Sequence, residues 1–302
     1  MRAKKPELIV PSKPKFLISG KPSAGKTTFA LNFPSVYYID TEGGATREQY
    51  RKKLIENGGV YMGKDEGSQD FKVVIDEIKE LATKKHDRKT LVIDSFTKLY
   101  NIAAAIAEED IYAKTGKAAE FSKEKKEANR PTRQLIRWLE NLDLTTILIC
   151  HHKEKWERKA GEIVNIGTTF DGFEKMEYDL DLWLEVLREG PKRVFKIRRS
   201  RIEAFQENDI HPLDYATFSS LYGKDVVERP SVPVQMATVE QVSRLTALCE
   251  AVNLEPATKE KWLKAAEAEN FTEMKSEQIK ACIAMMEDKL AKLAPKGKAV
   301  AA

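Results

Sequence analysis

The chain has little of what staples or anchors a protein. Its three cysteines among 302 residues, Cys150, Cys249 and Cys282, stand far apart in apolar surroundings. That spacing excludes a disulfide framework and reads as reduced, buried thiols. No apolar run reaches the ~20 residues a membrane helix needs. The start, Met1-Arg-Ala-Lys-Lys-Pro6, is polar and offers no apolar segment of a signal peptide. These absences give the expectation of a cytoplasmic protein with no membrane partner. Charge of one sign is also scarce, with a net value of only +4, which permits a polyanion partner without demanding one. No internal repeat is visible, which argues against a solenoid. What is present is 42% hydrophobic and 32% charged residues, enough for a full core under a well-solvated surface.

The most informative stretch is Phe16-Leu-Ile-Ser-Gly20-Lys21-Pro22-Ser23-Ala24-Gly25-Lys26-Thr27-Thr28. It is a short apolar strand running into G-x-x-x-x-G-K-T, the phosphate-binding loop of P-loop NTPases. Glycines let the backbone wrap closely, so that successive N–H groups face one polyphosphate. Lys26 supplies a point charge for the β- and γ-phosphates, and the Thr27 hydroxyl suits Mg2+. ATP and Mg2+ are therefore the expected cofactors, held by residues 20–28.

Up to about residue 200, apolar strands alternate with helical patterns. Val36–Asp40, Thr90–Asp94 and Thr145–Cys150 read as strands, and Phe71–Leu81 as a helix with Val74, Ile75, Ile78 and Leu81 on one face. Leu135, Ile136, Trp138, Leu139 and Leu142 form a helix face after Pro131, which suits a first turn. Residues 107–130 are charge-rich and read as a solvated helical insertion or as an arm for nucleic acid. Leu180–Leu187 and Arg193–Ile197 look like a late antiparallel pair. This alternation predicts an α/β core with a mostly parallel, helix-covered sheet. Arg229-Pro-Ser-Val-Pro233 reads as a linker. The expected division is an ATPase core over 1–228 and a small all-α module over 229–302. The module opens on the capping box Thr238-Val-Glu-Gln241, continues through helices at Trp262-Leu263 and Ile279–Leu293, and ends in a frayed Lys/Ala tail.

Asp94 ends an apolar strand, where a carboxylate can hold Mg2+ or its water. Glu42 ends the strand before it and is followed by Gly43-Gly44. It is the candidate base for the water attacking the γ-phosphate, against the alternative of a turn carboxylate. Cys150-His151-His152 could suggest metal, but neighbouring strand residues point to opposite faces and no second ligand cluster appears. His152 is instead the candidate γ-phosphate sensor, against a satisfied strand-end histidine. Arg199 and Arg201 fall on one strand face, either as a finger pair for a neighbouring subunit or as a solvated basic edge. Lys153, Lys155, Trp156, Arg158 and Lys159 follow the histidines. Cations for phosphates and a ring for base stacking suit a loop that binds single-stranded DNA, against a polar surface loop.

These elements, in this order, resemble the RecA/RadA recombinase superfamily over roughly residues 14–203. Tyr38-Ile-Asp-Thr-Glu42-Gly43 is similar to the strand carrying the catalytic glutamate of archaeal and eukaryotic recombinases, and Leu91-Val-Ile-Asp-Ser95 to the family's Walker B element. By the same resemblance His152 stands at the glutamine sensor opening the second DNA-binding loop, residues 153–174 at that loop, Arg199 and Arg201 at two interface lysines, and Lys175 at another. The histidine and the arginines depart from the family's types, and the segment before the core is shorter than its usual polymerisation element. The compact form is most similar to phage-encoded RecA-like single-strand annealing ATPases of the Sak group. The resemblance implies a DNA-stimulated ATPase that binds single-stranded DNA and promotes annealing or strand exchange in the host cytoplasm. It implies a homo-oligomer, ring or filament, with a single-strand-binding protein as a further partner. A hexameric helicase-like motor, an ATP-gated DNA-binding module with little turnover and a small-molecule phosphotransferase are the rival readings.

Overall fold

The computed structural model describes residues 11–118, 123–159, 162–266 and 268–293. The polar start and the Lys/Ala tail lie outside them. Two compact units emerge, Met1–Val232 and Pro233–Ala302.

The first unit carries strands β1 (Lys15–Gly20), β2 (Val36–Asp40), β3 (Val60–Met62), β4 (Thr90–Asp94), β5 (Thr145–Ile149), β6 (His151–Lys159), β7 (Glu162–Asp171), β8 (Leu182–Glu189), β9 (Lys192–Ser200) and β10 (Ile210–Pro212). Eight form one sheet in the order β10-β9-β8-β1-β5-β4-β2-β3. The six strands from β8 to β3 run parallel, and β9 and β10 add antiparallel. Strands covered by helices on both faces must be apolar along their length. Phe16, Leu17 and Ile18 of β1 and Leu91, Val92 and Ile93 of β4 are accordingly fully buried. The α/β class with a mostly parallel sheet is thus as the sequence predicts, and the late strand pair is β8–β9.

Helix Phe71–Thr83 buries Val74, Ile75, Ile78 and Leu81, the predicted face, and its N-cap Asp70 accepts from the backbone N–H groups of Lys72 and Val73. The charge-rich stretch is helical over residues 107–115 and 123–130. Helix Phe96–Thr115 runs out from β4 and helix Lys123–Asn141 returns to β5. Pro131 lies inside the second helix instead of opening it, so the Glu127 carbonyl forgoes its helical partner. The mainly buried C-terminal half, with Leu135, Ile136, Trp138 and Leu139 inside, outweighs that lost bond. Beneath β1, helix Tyr215–Tyr222 lays Phe218 against Phe16, Phe33 and Phe205, with ring centroids 4.8, 5.2 and 5.3 Å apart.

The second unit is helical. Thr238 and Gln241 form the predicted capping box ahead of helix Val239–Ala251. Helices Pro256–Ala265 and Ser276–Leu293 complete it. Leu245, Met274, Ile279, Cys282 and Met286 make its core. The three cysteines are unpaired, with Cys150 and Cys282 buried and Cys249 half-buried. Among the described residues no helix is long and apolar enough to cross a membrane.

Candidate nucleotide site

Gly20 ends β1 at φ 155°, and a Cβ there would lie 2.6 Å from the Val186 carbonyl oxygen of β8. Only glycine lets the loop leave the sheet that close to its neighbour. Ser23 and Gly25 also take positive φ, 61° and 112°, folding the loop back on itself before helix Lys26–Ala30. Pro22 is exposed on the loop and Ala24 is buried under it. The Lys26 ammonium donates to the carbonyls of Gly20 and Lys21 at 2.7 and 2.9 Å. Burial lowers its pKa, opposed by the charges of Asp94 and Glu42. A cleft of about 430 Å3 continues past Thr27 and Thr28, walled by Arg47, Tyr50, Lys53 and Arg193.

Asp94 closes β4 next to Asp40 of β2 in register. Its Oδ2 accepts from the Thr27 hydroxyl at 2.6 Å and from the Tyr38 hydroxyl at 3.0 Å. Burial pushes the Asp94 carboxyl up to about 6. A hydroxyl and a carboxylate meeting at the loop are hard oxygen donors of the kind Mg2+ takes.

The turn after β2 is organised by Asp40. Its Oδ1 accepts from the backbone N–H groups of Glu42, Gly43 and Gly44, and its Oδ2 from that of Ala45. Glu42 Oε1 then receives the Ser95 hydroxyl at 2.6 Å and His151 Nε2 at 2.7 Å. The His151 hydrogen bond, reinforced by Ser95, holds the Glu42 carboxyl down at about 2, and the same contact raises His151 above an ordinary histidine.

His152 goes the other way. Its Nε2 lies 3.3 Å from Glu185 of β8, whose second oxygen takes Arg198 at 3.0 Å. Its Nδ1 is buried with no hydrogen-bond partner among the described residues, and burial lowers its pKa. Of the two neighbours, then, His151 reaches Glu42, whereas the expected sensor His152 is tied to β8. Side-chain alternation along a strand separates them, and nothing in the dipeptide itself says which parity faces β2.

The segment expected as a loop is a two-stranded hairpin. β6 and β7 pair antiparallel, with a register shift at Lys155/Trp156. The β-branched run Ile163, Val164, Ile166, Thr168 and Thr169 explains why it forms strand. Pairing splits the expected DNA-binding residues. Lys153 and Lys155 share the face of His151, while Trp156 and Arg158 share that of His152 and its partner Phe170. Trp156 is 56% exposed. Lys159 ends β6, but its side chain, like residues 160–161, lies outside the described residues.

Arg199 and Arg201 do fall on one side. The Arg199 guanidinium sits 5.1 Å above the Tyr178 ring and Arg201 donates to the Tyr178 carbonyl. Lys175 precedes the short helix Met176–Asp179 that carries Tyr178. Arg193 borders the phosphate loop at Gly25 and Arg47 lines the cleft beyond it; the motif reading singled out neither, nor did it single out Tyr38, Asp40, Ser95 or His151 as side chains of the site.

A family model described as an AAA domain matches residues 12–209. No curated protein matches the chain.

Proposed function

The chain belongs to the AAA domain family of P-loop ATPases, and we propose that it is a RecA-like ATPase that couples ATP hydrolysis to binding single-stranded DNA, for annealing or strand exchange. One observation carries the RecA-like reading. The residue after Asp94 is a serine, and the acidic side chain it steadies is Glu42, delivered by the next strand. That is the placement expected of a water-activating carboxylate beside a Walker B strand in the resemblance above.

Lys26 and the loop N–H groups hold the β- and γ-phosphates, and the cleft walled by Tyr50 and Arg193 has room for the nucleoside. Thr27 and Asp94 would hold Mg2+, which would supply charge neutralisation at the phosphates. Ser95 steadies one oxygen of Glu42, His151 contacts that same oxygen, and the other oxygen faces the attacking water. His151 is also the first residue of β6, so a shift of the hairpin on DNA reaches Glu42 through one side chain. Lys153 and Lys155 contact phosphates and Trp156 stacks on a base. Arg199 and Arg201 complete the site of a neighbouring subunit in a homo-oligomer.

The deciding measurement is the ATPase rate with and without single-stranded DNA. A rise on adding DNA is expected. An equal rate, together with no retention of DNA in the presence of ATP, would leave only the ATPase.

A further inference from the structure

We propose that His151 is a proton-operated brake on Glu42: protonated it pins the carboxylate, and on losing its proton to solvent it lets go, so that hydrolysis switches on as the pH rises. The inference rests on the reading of Glu42 as the residue that activates water.

The geometry is specific. His151 Nε2 and Glu42 Oε1 are 2.7 Å apart, and both side chains are part-exposed, at 48% and 38%. Solvent can therefore take the proton away without the hairpin opening. Four charged groups face the pair. Asp171 sits opposite His151 on β7, Lys26 comes from the phosphate loop, Lys98 from the helix after β4 faces Glu42, and Asp94 at the end of β4 feels the Glu42 charge. Glu42 dominates for His151, outweighing Lys26, and raises its pKa.

The sign follows. A carboxylate paired with a cation is a weaker base and is held in one orientation. Removing the charge while leaving a neutral imidazole loosens that hold and restores basicity, so turnover grows with pH. An amide at this position could hold Glu42 but could not titrate.

The test is the pH dependence of kcat at saturating ATP and Mg2+ between pH 5.5 and 9, on the full chain. Wild type should rise with an acid limb approaching about tenfold per pH unit, as for one ionisation. His151→Gln should flatten the limb and hydrolyse faster than wild type at pH 6. His151→Lys, cationic across the whole range, should stay slow up to pH 9. A flat wild-type profile would overturn the brake, and so would an acid limb that persists unchanged in His151→Gln, since that limb would belong to another group, Asp94 or the nucleotide. Normal hydrolysis by Glu42→Gln is a different failure, because it removes the base on which the brake acts.

Discussion

The Ser95 hydroxyl donates to Glu42 Oε1 at 2.6 Å while its own Oγ accepts from the backbone N–H of Lys98 at 3.2 Å. The residue that caps the helix after β4 thus also steadies the carboxylate at the end of β2. Glu42→Gln should keep ATP affinity and lose turnover, whereas Lys26→Ala should lose both. Ser95→Ala should lower kcat about tenfold, as expected of a misplaced reacting group, and cost about 1 kcal/mol of stability through the lost cap. Nucleotide titration beside steady-state kinetics checks all three. Full turnover by Glu42→Gln would make Glu42 a turn carboxylate.

Asp40 is buried and accepts four backbone N–H groups. Asp40→Ala should destabilise the chain on the order of 3 kcal/mol, because the buried Ala45 N–H and three part-buried ones are left unpaired, and should lower kcat by releasing the Glu42 turn. Urea unfolding measures the first effect. A variant as stable as wild type would mean that the turn keeps its shape without the carboxylate.

The split of the hairpin into two faces makes the proposed DNA contact separable into two tests. Lys153→Ala/Lys155→Ala should reduce the salt dependence of single-strand binding, because fewer counterions are released. Trp156→Ala should cost roughly 1–3 kcal/mol with the salt slope unchanged if a base stacks there. Fluorescence anisotropy at several salt concentrations reads both. If neither variant changes affinity, the hairpin is not the DNA contact.

Arg199 and Arg201 both rest on Tyr178 of their own chain, a position from which a finger can be presented outward. Single alanine variants should fold, bind ATP and hydrolyse it far more slowly, because such fingers are worth roughly 10³–10⁵ in turnover. Mixing Lys26→Ala subunits with the double arginine variant should recover part of the rate, since some interfaces pair a good site with a good finger. Co-assembled mixtures that stay inactive would leave the arginines as a basic edge.

The phosphate loop, the alternation of strands and helices, the capping box, Asp94 closing β4 and Glu42 just past β2 were legible because each is local. Glycine at fixed offsets, apolar periodicity and an acidic residue closing a strand all sit within a few neighbouring positions. The hairpin was harder to read. Its β6 half alternates charges with no apolar face, so only pairing with the Ile163–Thr169 run makes it strand. The choice between His151 and His152 was harder still, since it depends on which face of β5 looks toward β2. Tyr38 and Asp40 read simply as strand residues, because their partners lie across a turn or on another strand. Pro131 follows the statistics of helix starts, which the buried face of its own helix overrides.

Phe218 stacks beneath the strand that feeds the phosphate loop, yet it lies beyond residues 12–209, where the AAA match ends. Anyone shortening the gene to the matched stretch would remove the lid from Phe16, Phe29, Phe33 and Phe205, aromatic surface that is otherwise dry. Patches of that kind drive self-association. Such a fragment should collect in the insoluble fraction on expression, and the shortest workable version of the enzyme should run past Val227, the last buried apolar residue of this layer.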